Sequence, residues 1–230
     1  MSNEIKSVTE LGNPRKPQGE AGFEMLSSMN EHHSDVTDWA LGFLELNDDN
    51  SVLDIGCGGG ATLSKIAGMT KSGHIMGIDY SDVSVRMSKD TNAEMISTGR
   101  MEIIEASVES LPLDDNSFDR IITVESFYFW PDPQNDLKEV YRVLKNNGIF
   151  LIVADINGDA DLSEEDMDNI RKYSLYNPKI AEFRSLLETA GFSSVNIHTK
   201  DGTSWVCAEG RKWLCEKISV KSKTVIKTMY

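Results

Sequence analysis

Short apolar runs alternate with longer amphipathic stretches along most of the chain. Five of the runs have the length and composition of buried strands and cover residues 52–55, 74–79, 101–106, 120–125 and 149–153. In the other stretches apolar residues recur at helical spacing, from residue 61 onward and over residues 81–97, 132–144, 170–176 and 180–190. This alternation predicts an α/β protein whose parallel sheet is covered by helices on both faces.

The two ends of the chain follow other patterns. Residues 1–20 are polar and contain two prolines, so we expect a loosely ordered arm there. Residues 22–46 carry two apolar stripes at helical spacing, with His32 and His33 between them, and predict two helices. Near the C-terminus, the Asp-Gly pair at residues 201–202 separates two β-forming runs, which predicts an antiparallel hairpin.

The stretch at residues 52–60 passes abruptly from an apolar run into glycines. A helical pattern begins directly after it at Ala61, so the segment has the pattern of a strand, a tight turn and a helix N-terminus. Glycine lets the backbone adopt positive φ and approach a ligand closely. A second apolar run ends in Asp79, which lies 23 residues after Gly56. A glycine-rich turn after one strand and an acid at the end of the next strand together indicate a doubly wound sheet that binds an adenosine-containing ligand.

Two kinds of ligand fit the glycine turn and Asp79, and the spacing of these residues alone does not distinguish between them. Gly56, Gly58 and Ala61 satisfy the dinucleotide fingerprint G-x-G-x-x-G/A, with Asp79 as the acid that binds the ribose. Asp54 favours the other ligand, S-adenosylmethionine, because a carboxylate there repels a pyrophosphate but attracts an ammonium or a sulfonium group. The remaining interpretation is a glycine turn that binds no ligand.

Four stretches, in order, resemble the successive motifs of class I S-adenosylmethionine-dependent methyltransferases: residues 52–60, 77–81, 111–119 and 140–148. The branch resembled is the small-molecule one, the methyltransferase type 11 domain akin to quinone-biosynthesis methyltransferases. The resemblance covers about residues 50–156. It implies a Rossmann-like seven-stranded sheet in the order 3-2-1-4-5-7-6 with the last strand antiparallel, and a helical lid over residues 22–46. The alternative for those helices is a pair that simply packs on the sheet.

The resemblance also implies where the cofactor binds. Asp79 is expected to accept hydrogen bonds from the two ribose hydroxyls, and Asp54 to help position the ammonium group. Gly56 and Gly58 let the backbone approach the methionine and ribose parts. The family usually has an acid at the position of Ser107 to bind the adenine amino group, so serine weakens that contact. The other expected cofactor residues follow the second, third and fourth strands and are Tyr80, Val108 and Glu125.

Residues 126–130 are unusually aromatic, which favours a flat or apolar acceptor and a cation–π contact with the sulfonium. Ordinary core beneath a loop is the other interpretation. Methyl transfer is an in-line displacement at an activated carbon, so the protein mainly aligns the acceptor, excludes water and removes a proton if one must leave. The candidate bases also include His32 and Asp155, but our predicted catalytic residues are His33, Glu125 and Tyr128.

Composition limits the class of protein. A chain of 230 residues fits one domain with an appendage. We expect an arm and lid over residues 1–48, the S-adenosylmethionine-binding domain over residues 49–210 and a basic tail over residues 211–230. The net charge of −14 argues against nucleic acid as the methyl acceptor. No apolar run approaches the roughly 20 residues of a membrane span, and no secretory segment is evident, so we expect a cytoplasmic protein with a small-molecule acceptor.

Metal binding is not expected from the sequence. The three cysteines are too scattered for a zinc site or a disulfide framework. Residues 155–166 resemble a calcium loop, but Ala160 and Asp166 occupy the positions where an EF-hand has glycine and a bidentate glutamate.

The sequence therefore predicts an S-adenosylmethionine-dependent methyltransferase that transfers the methyl group in line to a small molecule. The alternatives are a non-catalytic module that binds S-adenosylmethionine and an NAD-dependent oxidoreductase. Release of S-adenosylhomocysteine would distinguish the methyltransferase from the non-catalytic module. The cofactor that the purified protein retains would distinguish both from the oxidoreductase.

Overall fold

The computed structural model describes residues 7–213, and seven strands form one sheet. The strands are β1 (Val52–Ile55), β2 (Ile75–Asp79), β3 (Met101–Glu105), β4 (Phe118–Val124), β5 (Leu144–Ala154), β6 (Ser194–Thr199) and β7 (Val206–Lys212). Their order is β3-β2-β1-β4-β5-β7-β6. The first five strands pair in parallel, whereas β7 runs antiparallel to both β5 and β6. The predicted doubly wound, seven-stranded sheet is confirmed.

Helices connect the parallel strands and flank the sheet. They are α1 (Val8–Gly12), α2 (Gly19–His32), α3 (Ser34–Leu41), α4 (Ala61–Met69), α5 (Asp82–Thr91), α6 (Ala93–Ser97), α7 (Pro133–Val143), α8 (Glu164–Tyr173) and α9 (Ile180–Ala190). A short 3-10 helix covers Phe127–Phe129. Successive residues of a strand point to opposite faces, so Phe150 packs in the layer that contains α7 and α9, and Leu151 in the layer with α3 and α4.

The two predicted N-terminal helices are α2 and α3, and they pack differently. Val36 and Ala40 of α3 belong to the core layer on one face of the sheet. Leu26 of α2 instead joins Val83 and Met87 of α5 in a small separate apolar cluster. The helix α3 is therefore anchored on the sheet itself, and α2 on the outer helix α5.

Residues 7–18 are more ordered than the sequence suggested. They contain α1 and a turn rather than a loose arm. The Ser81 hydroxyl donates a hydrogen bond of 2.8 Å to the carbonyl of Pro17, and the Arg15 guanidinium donates one of 3.0 Å to the carbonyl of Phe129. These long-range bonds hold the segment against the sheet domain. Residues 1–6 lie outside the described part of the chain.

Two predicted helices have other boundaries. The pattern over residues 81–97 is divided into α5 and α6 at Asn92, whose buried side chain donates a hydrogen bond of 3.0 Å to the carbonyl of Gly60. The helix expected over residues 170–176 begins earlier, at Glu164, because Ser163 and Asp166 form a capping box.

The strand β7 includes Arg211 and Lys212, which the sequence analysis placed in a basic tail. Arg211 pairs with Glu45, and the ammonium of Lys212 donates hydrogen bonds of 2.7 Å to the carbonyls of Tyr141 and Leu144. Both cations therefore stabilise the fold, while residues 214–230 lie outside the described part of the chain. Within the residues that the structure describes, no helix has the length and apolarity needed to cross a membrane.

Candidate cofactor and acceptor site

One cavity of about 280 Å³ lies where β1, β2 and β4 end. Residues from α2, α3 and the segment before α2 also line it, so the N-terminal helices and the sheet share this space. All of the predicted cofactor residues contribute to the lining: Asp54, Gly56, Gly58, Asp79, Tyr80, Ser107, Val108 and Glu125. The structure thus brings these eight residues together, although they follow four different strands.

The turn after β1 needs glycine. Gly56 and Gly58 have φ values of +73° and +51°, in the left-handed region that other residues adopt at a cost. A Cβ atom at Gly56 would lie 2.2 Å from the hydroxyl oxygen of Ser126. The turn therefore packs directly against the residues that follow β4, and its backbone rather than a side chain faces the cavity.

Asp54 is a buried carboxylate without a partner. It lies within β1, is 1% exposed, and no described residue donates a hydrogen bond to either carboxylate oxygen. Burial and the nearby Asp79 raise the pKa of Asp54 to about 8. A buried polar group that lacks a partner is rare in folded proteins and needs an explanation. A ligand with a positively charged group would supply the missing partner.

Asp79 ties the end of β2 to the glycine turn. Its two carboxylate oxygens accept hydrogen bonds from the backbone N–H groups of Gly58, at 3.0 Å, and Ser81, at 2.9 Å. Burial raises the pKa of Asp79, and these two hydrogen bonds oppose that shift. Because an ionised carboxylate has about four acceptor positions, Asp79 keeps capacity for two ligand hydroxyls.

The residues expected around the adenine line the same cavity as Asp79. Tyr80 is 38% exposed, and its hydroxyl donates a hydrogen bond to the carbonyl of Arg15. The Ser107 hydroxyl donates one of 2.9 Å to Glu109, while Val108 is buried. Ser107 is therefore already engaged with an acid two residues further along the chain.

The three predicted catalytic residues form one cluster. Glu125 accepts a hydrogen bond of 2.9 Å from the Tyr128 hydroxyl and another from the backbone N–H of Asp155. The Nε2 atom of His33 lies 4.0 Å from the Glu125 carboxylate. Glu125 and His33 line the cavity, whereas Tyr128 lies behind Glu125 and reaches the site through it.

Burial shifts the pKa values in this cluster. It raises the pKa of Glu125 well above its ordinary value, and the charge of Asp155 adds to the effect. It raises the pKa of Tyr128 in the same way, with a contribution from Glu125. It lowers the pKa of His33 to about 4, which the nearby Asp155 opposes. Perturbed pKa values of this kind are typical of functional sites.

Several lining residues were not found from the sequence. Arg15 and Asn30 reach the cavity from the N-terminal segment and α2. Ser126, the first residue of the stretch that the sequence placed at the acceptor, also lines it, and its hydroxyl contacts the carbonyl of Ile55, the Thr123 hydroxyl and the indole N–H of Trp130. Arg15 lies between two prolines, which was the one local signal of a constrained segment. The charged groups of the cavity are otherwise acidic, namely Asp54, Asp79 and Glu125, so the cavity favours a cationic ligand.

Comparison with known proteins agrees with this geometry. Residues 53–152 match a family described as a methyltransferase domain. YdaC, an uncharacterized methyltransferase of Bacillus subtilis, is 27% identical over 179 residues, which are 77% of this chain and 91% of that protein. The rice chloroplastic 2-methyl-6-phytyl-1,4-hydroquinone methyltransferase 1 is 30% identical over 154 residues, 67% of this chain. The chain covers 44% of the rice enzyme.

The fold also has solved counterparts. The phosphoethanolamine N-methyltransferase 2 of Haemonchus contortus, solved with S-adenosylhomocysteine, superposes with a TM-score of 0.68 at 14% identity. The match covers 78% of this chain and 52% of that one. At this identity the likeness concerns the fold. The domain match and the relatives go further: residues 53–152 form a methyltransferase domain whose methyl donor is S-adenosylmethionine.

Proposed function

We propose that the protein transfers a methyl group in line from S-adenosylmethionine to a small, flat or apolar molecule. The observation that carries this proposal is the continuity of one cavity. The unpaired carboxylate of Asp54 contributes to its lining, and so do the aromatic residues Phe129 and Trp130. A cationic donor and an apolar acceptor therefore find suitable surroundings within the same enclosed space.

The donor end of the cavity fits the parts of S-adenosylmethionine. Asp54 supplies the negative charge for the ammonium group, and Asp79 keeps free acceptor positions for the ribose hydroxyls. Gly56 and Gly58 expose backbone to the methionine and ribose parts, and Val108 offers an apolar surface to the adenine. When it is bound, the cofactor supplies a methyl carbon that its sulfonium activates for displacement.

The acceptor end is apolar, with a few polar groups. Trp130 is buried, and its indole N–H is engaged by Ser126, so its ring has a fixed orientation. Met29 and Phe129 extend the apolar surface. The rice relative is named for a hydroquinone, and this supports an aromatic acceptor here. The net charge of −14 supports a small molecule over a nucleic acid.

Removal of a proton from the acceptor would fall to Glu125 or His33. Both line the cavity at 4.0 Å from each other, and the hydrogen bond from Tyr128 holds the Glu125 carboxylate in place. We assign Tyr128 the role of a positioning residue, since its hydroxyl contacts Glu125 rather than the cavity.

We also propose that α2 and α3 form the lid of a sheet domain that begins at about residue 49. Leu26, Met29 and Asn30 of α2 and Thr37 of α3 line the cavity, so a ligand there would touch both helices. The small cluster that anchors α2 on α5 leaves the helix free to move without opening the core of the sheet.

The test is transfer of a labelled methyl group from S-adenosylmethionine into a fractionated extract of small metabolites. We expect label in an aromatic or apolar fraction together with release of S-adenosylhomocysteine. Binding of the donor without any transfer would favour the non-catalytic module, and transfer into a nucleic acid fraction would refute the small-molecule acceptor. Retention of NAD by the purified protein, with no affinity for S-adenosylmethionine, would refute the proposal as a whole.

A further inference from the structure

Two histidines and a carboxylate meet at the edge of the cavity. His32 is the last residue of α2, His33 lies between α2 and α3, and Asp155 follows directly after β5. One potential metal-ligand atom from each of the three lies within 4.8 Å of the others. Among the described residues, no other group of three or more histidine, cysteine or acidic side chains is close enough together to hold a metal ion.

The local backbone explains how two adjacent histidines converge. Consecutive side chains of an α-helix project about 100° apart, so they seldom bind one ion. Here the helix ends, and His33 has φ −87° and ψ 5°. The two imidazole rings lie edge to face with centroids 5.3 Å apart. Both rings therefore reach the end of β5 from the same junction.

The separations are too long for hydrogen bonds but suit an ion between the groups. The Nε2 atom of His32 lies 4.0 Å from Oδ2 of Asp155. Metal bonds to nitrogen or oxygen of about 2.0–2.2 Å place two ligand atoms of one ion about 3–4 Å apart. All three ligand atoms lie within 4.8 Å of one another, and the side chain of His32, which is 74% exposed, has room to rotate toward an ion.

The donor set selects the kind of ion. Two imidazole nitrogens and one carboxylate oxygen suit zinc and similar first-row ions, whereas magnesium and calcium prefer oxygen ligands alone. Three protein ligands also leave a coordination position open, as in catalytic zinc sites. We propose that His32, His33 and Asp155 bind one divalent transition-metal ion, with zinc as the best fit, and leave a position open toward the cavity.

This site shares one residue, Asp155, with the calcium-like loop in the sequence. The Asp159 carboxylate accepts a hydrogen bond from the backbone of Ile180, and Asp166 caps α8 at Ser163. Those acids therefore serve the fold. Asp155 is the member of the loop that faces the histidines, and it does so at the cavity edge.

The site has a consequence that rests on the proposed function. A metal ion held by His33, which lines the cavity, would bind an acceptor oxygen and lower its pKa, so that the oxygen attacks the methyl group more readily. Because the ion would occupy the acceptor nitrogen of His33, Glu125 would then be the group that takes up the proton. The metal proposal itself does not depend on this step, since binding of zinc is measured without any methyl transfer.

The experiment is titration calorimetry of metal-stripped full-length protein with zinc, using wild type and four variants. We expect one zinc per chain, with affinity reduced at least about 100-fold in His32→Ala and in Asp155→Asn. The controls are His74→Ala, an exposed histidine elsewhere, and Asp161→Asn, an exposed acid of the same loop; both should match wild type. Circular dichroism confirms that each variant is folded.

Two outcomes would overturn the metal site: no stoichiometric binding by the wild type, or equal binding by His32→Ala and His74→Ala. S-Adenosylmethionine affinity is measured on the same samples and should be unchanged in His32→Ala, since His32 does not line the cavity. Zinc binding without methyl transfer to any acceptor would refute the proposed function and leave the metal site intact. Methyl transfer by a protein that binds no zinc would refute the metal site and leave the proposed function intact.

Discussion

The backbone N–H of Gly58 donates a hydrogen bond of 3.0 Å to the carboxylate of Asp79. This contact joins the turn after β1 to the end of β2, two segments that are far apart along the chain. From the sequence, Asp79 was expected to serve the ligand alone. The structure shows that the same carboxylate also fixes the shape of the turn that a ligand would meet.

Asp79→Ala should therefore weaken S-adenosylmethionine binding and also loosen the turn. Hydrogen bonds to a charged group contribute about 1.5–3 kcal/mol each, so we expect affinity about 10- to 1000-fold lower. The matched control is Glu105→Ala, because Glu105 pairs with Asp79 in the sheet but is exposed at the end of β3. Calorimetry measures both variants, and similar losses of affinity in the two would refute a specific role of Asp79.

Tyr128→Phe should impair turnover more than donor binding. The substitution removes the 2.9 Å hydrogen bond to Glu125 and keeps the ring. Leaving the buried Glu125 carboxyl without this partner costs about 1–3 kcal/mol, which predicts kcat about 5- to 100-fold lower, with little change in S-adenosylmethionine affinity. Tyr141→Phe, on α7 and away from the cavity, serves as the control. Parallel losses of donor affinity and turnover would place Tyr128 in the cofactor site or in the fold.

The lid proposal predicts a change in amide hydrogen exchange. Since Leu26, Met29 and Asn30 line the cavity, a bound donor should slow exchange across α2. Exchange in α9, which packs against the far end of the sheet, provides an internal control. Equal exchange in α2 with and without S-adenosylmethionine would argue against a lid.

Asp54 should destabilise the ligand-free protein as pH rises. Its folded-state pKa of about 8 lies above the unfolded value, so this carboxyl lowers stability progressively from about pH 4 to about pH 8. Each pKa unit corresponds to about 1.4 kcal/mol, so the loss reaches several kcal/mol at the upper end. In chemical denaturation, Asp54→Asn should gain stability over wild type at pH 8 and much less at pH 5. A gain that is the same at both pH values would disprove this assignment.

Local patterns predicted the parts of this structure that depend on neighbouring residues. The strand–helix alternation and the glycines at positions 56 and 58 predicted the sheet and the turn, because period and backbone freedom are local properties. The resemblance added the strand order. The position of Asp79 at a strand end followed from the same pattern.

Features that depend on long-range contacts were missed. The helix break at Asn92 exists because that side chain bonds to Gly60, and the ordered segment around Arg15 exists because its guanidinium bonds to Phe129. The approach of His32 to Asp155 likewise results from the topology, which brings the end of α2 to the end of β5. No local pattern contains these distances.

We propose above all that the buried, unpaired carboxylate of Asp54 binds the ammonium group of S-adenosylmethionine. Calorimetry at pH 6.5 in buffers of different ionisation enthalpy measures it directly. In the free protein the pKa of Asp54 is about 8, so the carboxyl is protonated at this pH, and an arriving ammonium group favours its ionised form. We predict that donor binding by the wild type strengthens as pH rises toward 8 and releases close to one proton more than binding by Asp54→Asn, which is also weaker. Equal proton release by the two proteins, or affinity in the wild type that is independent of pH, would contradict the account.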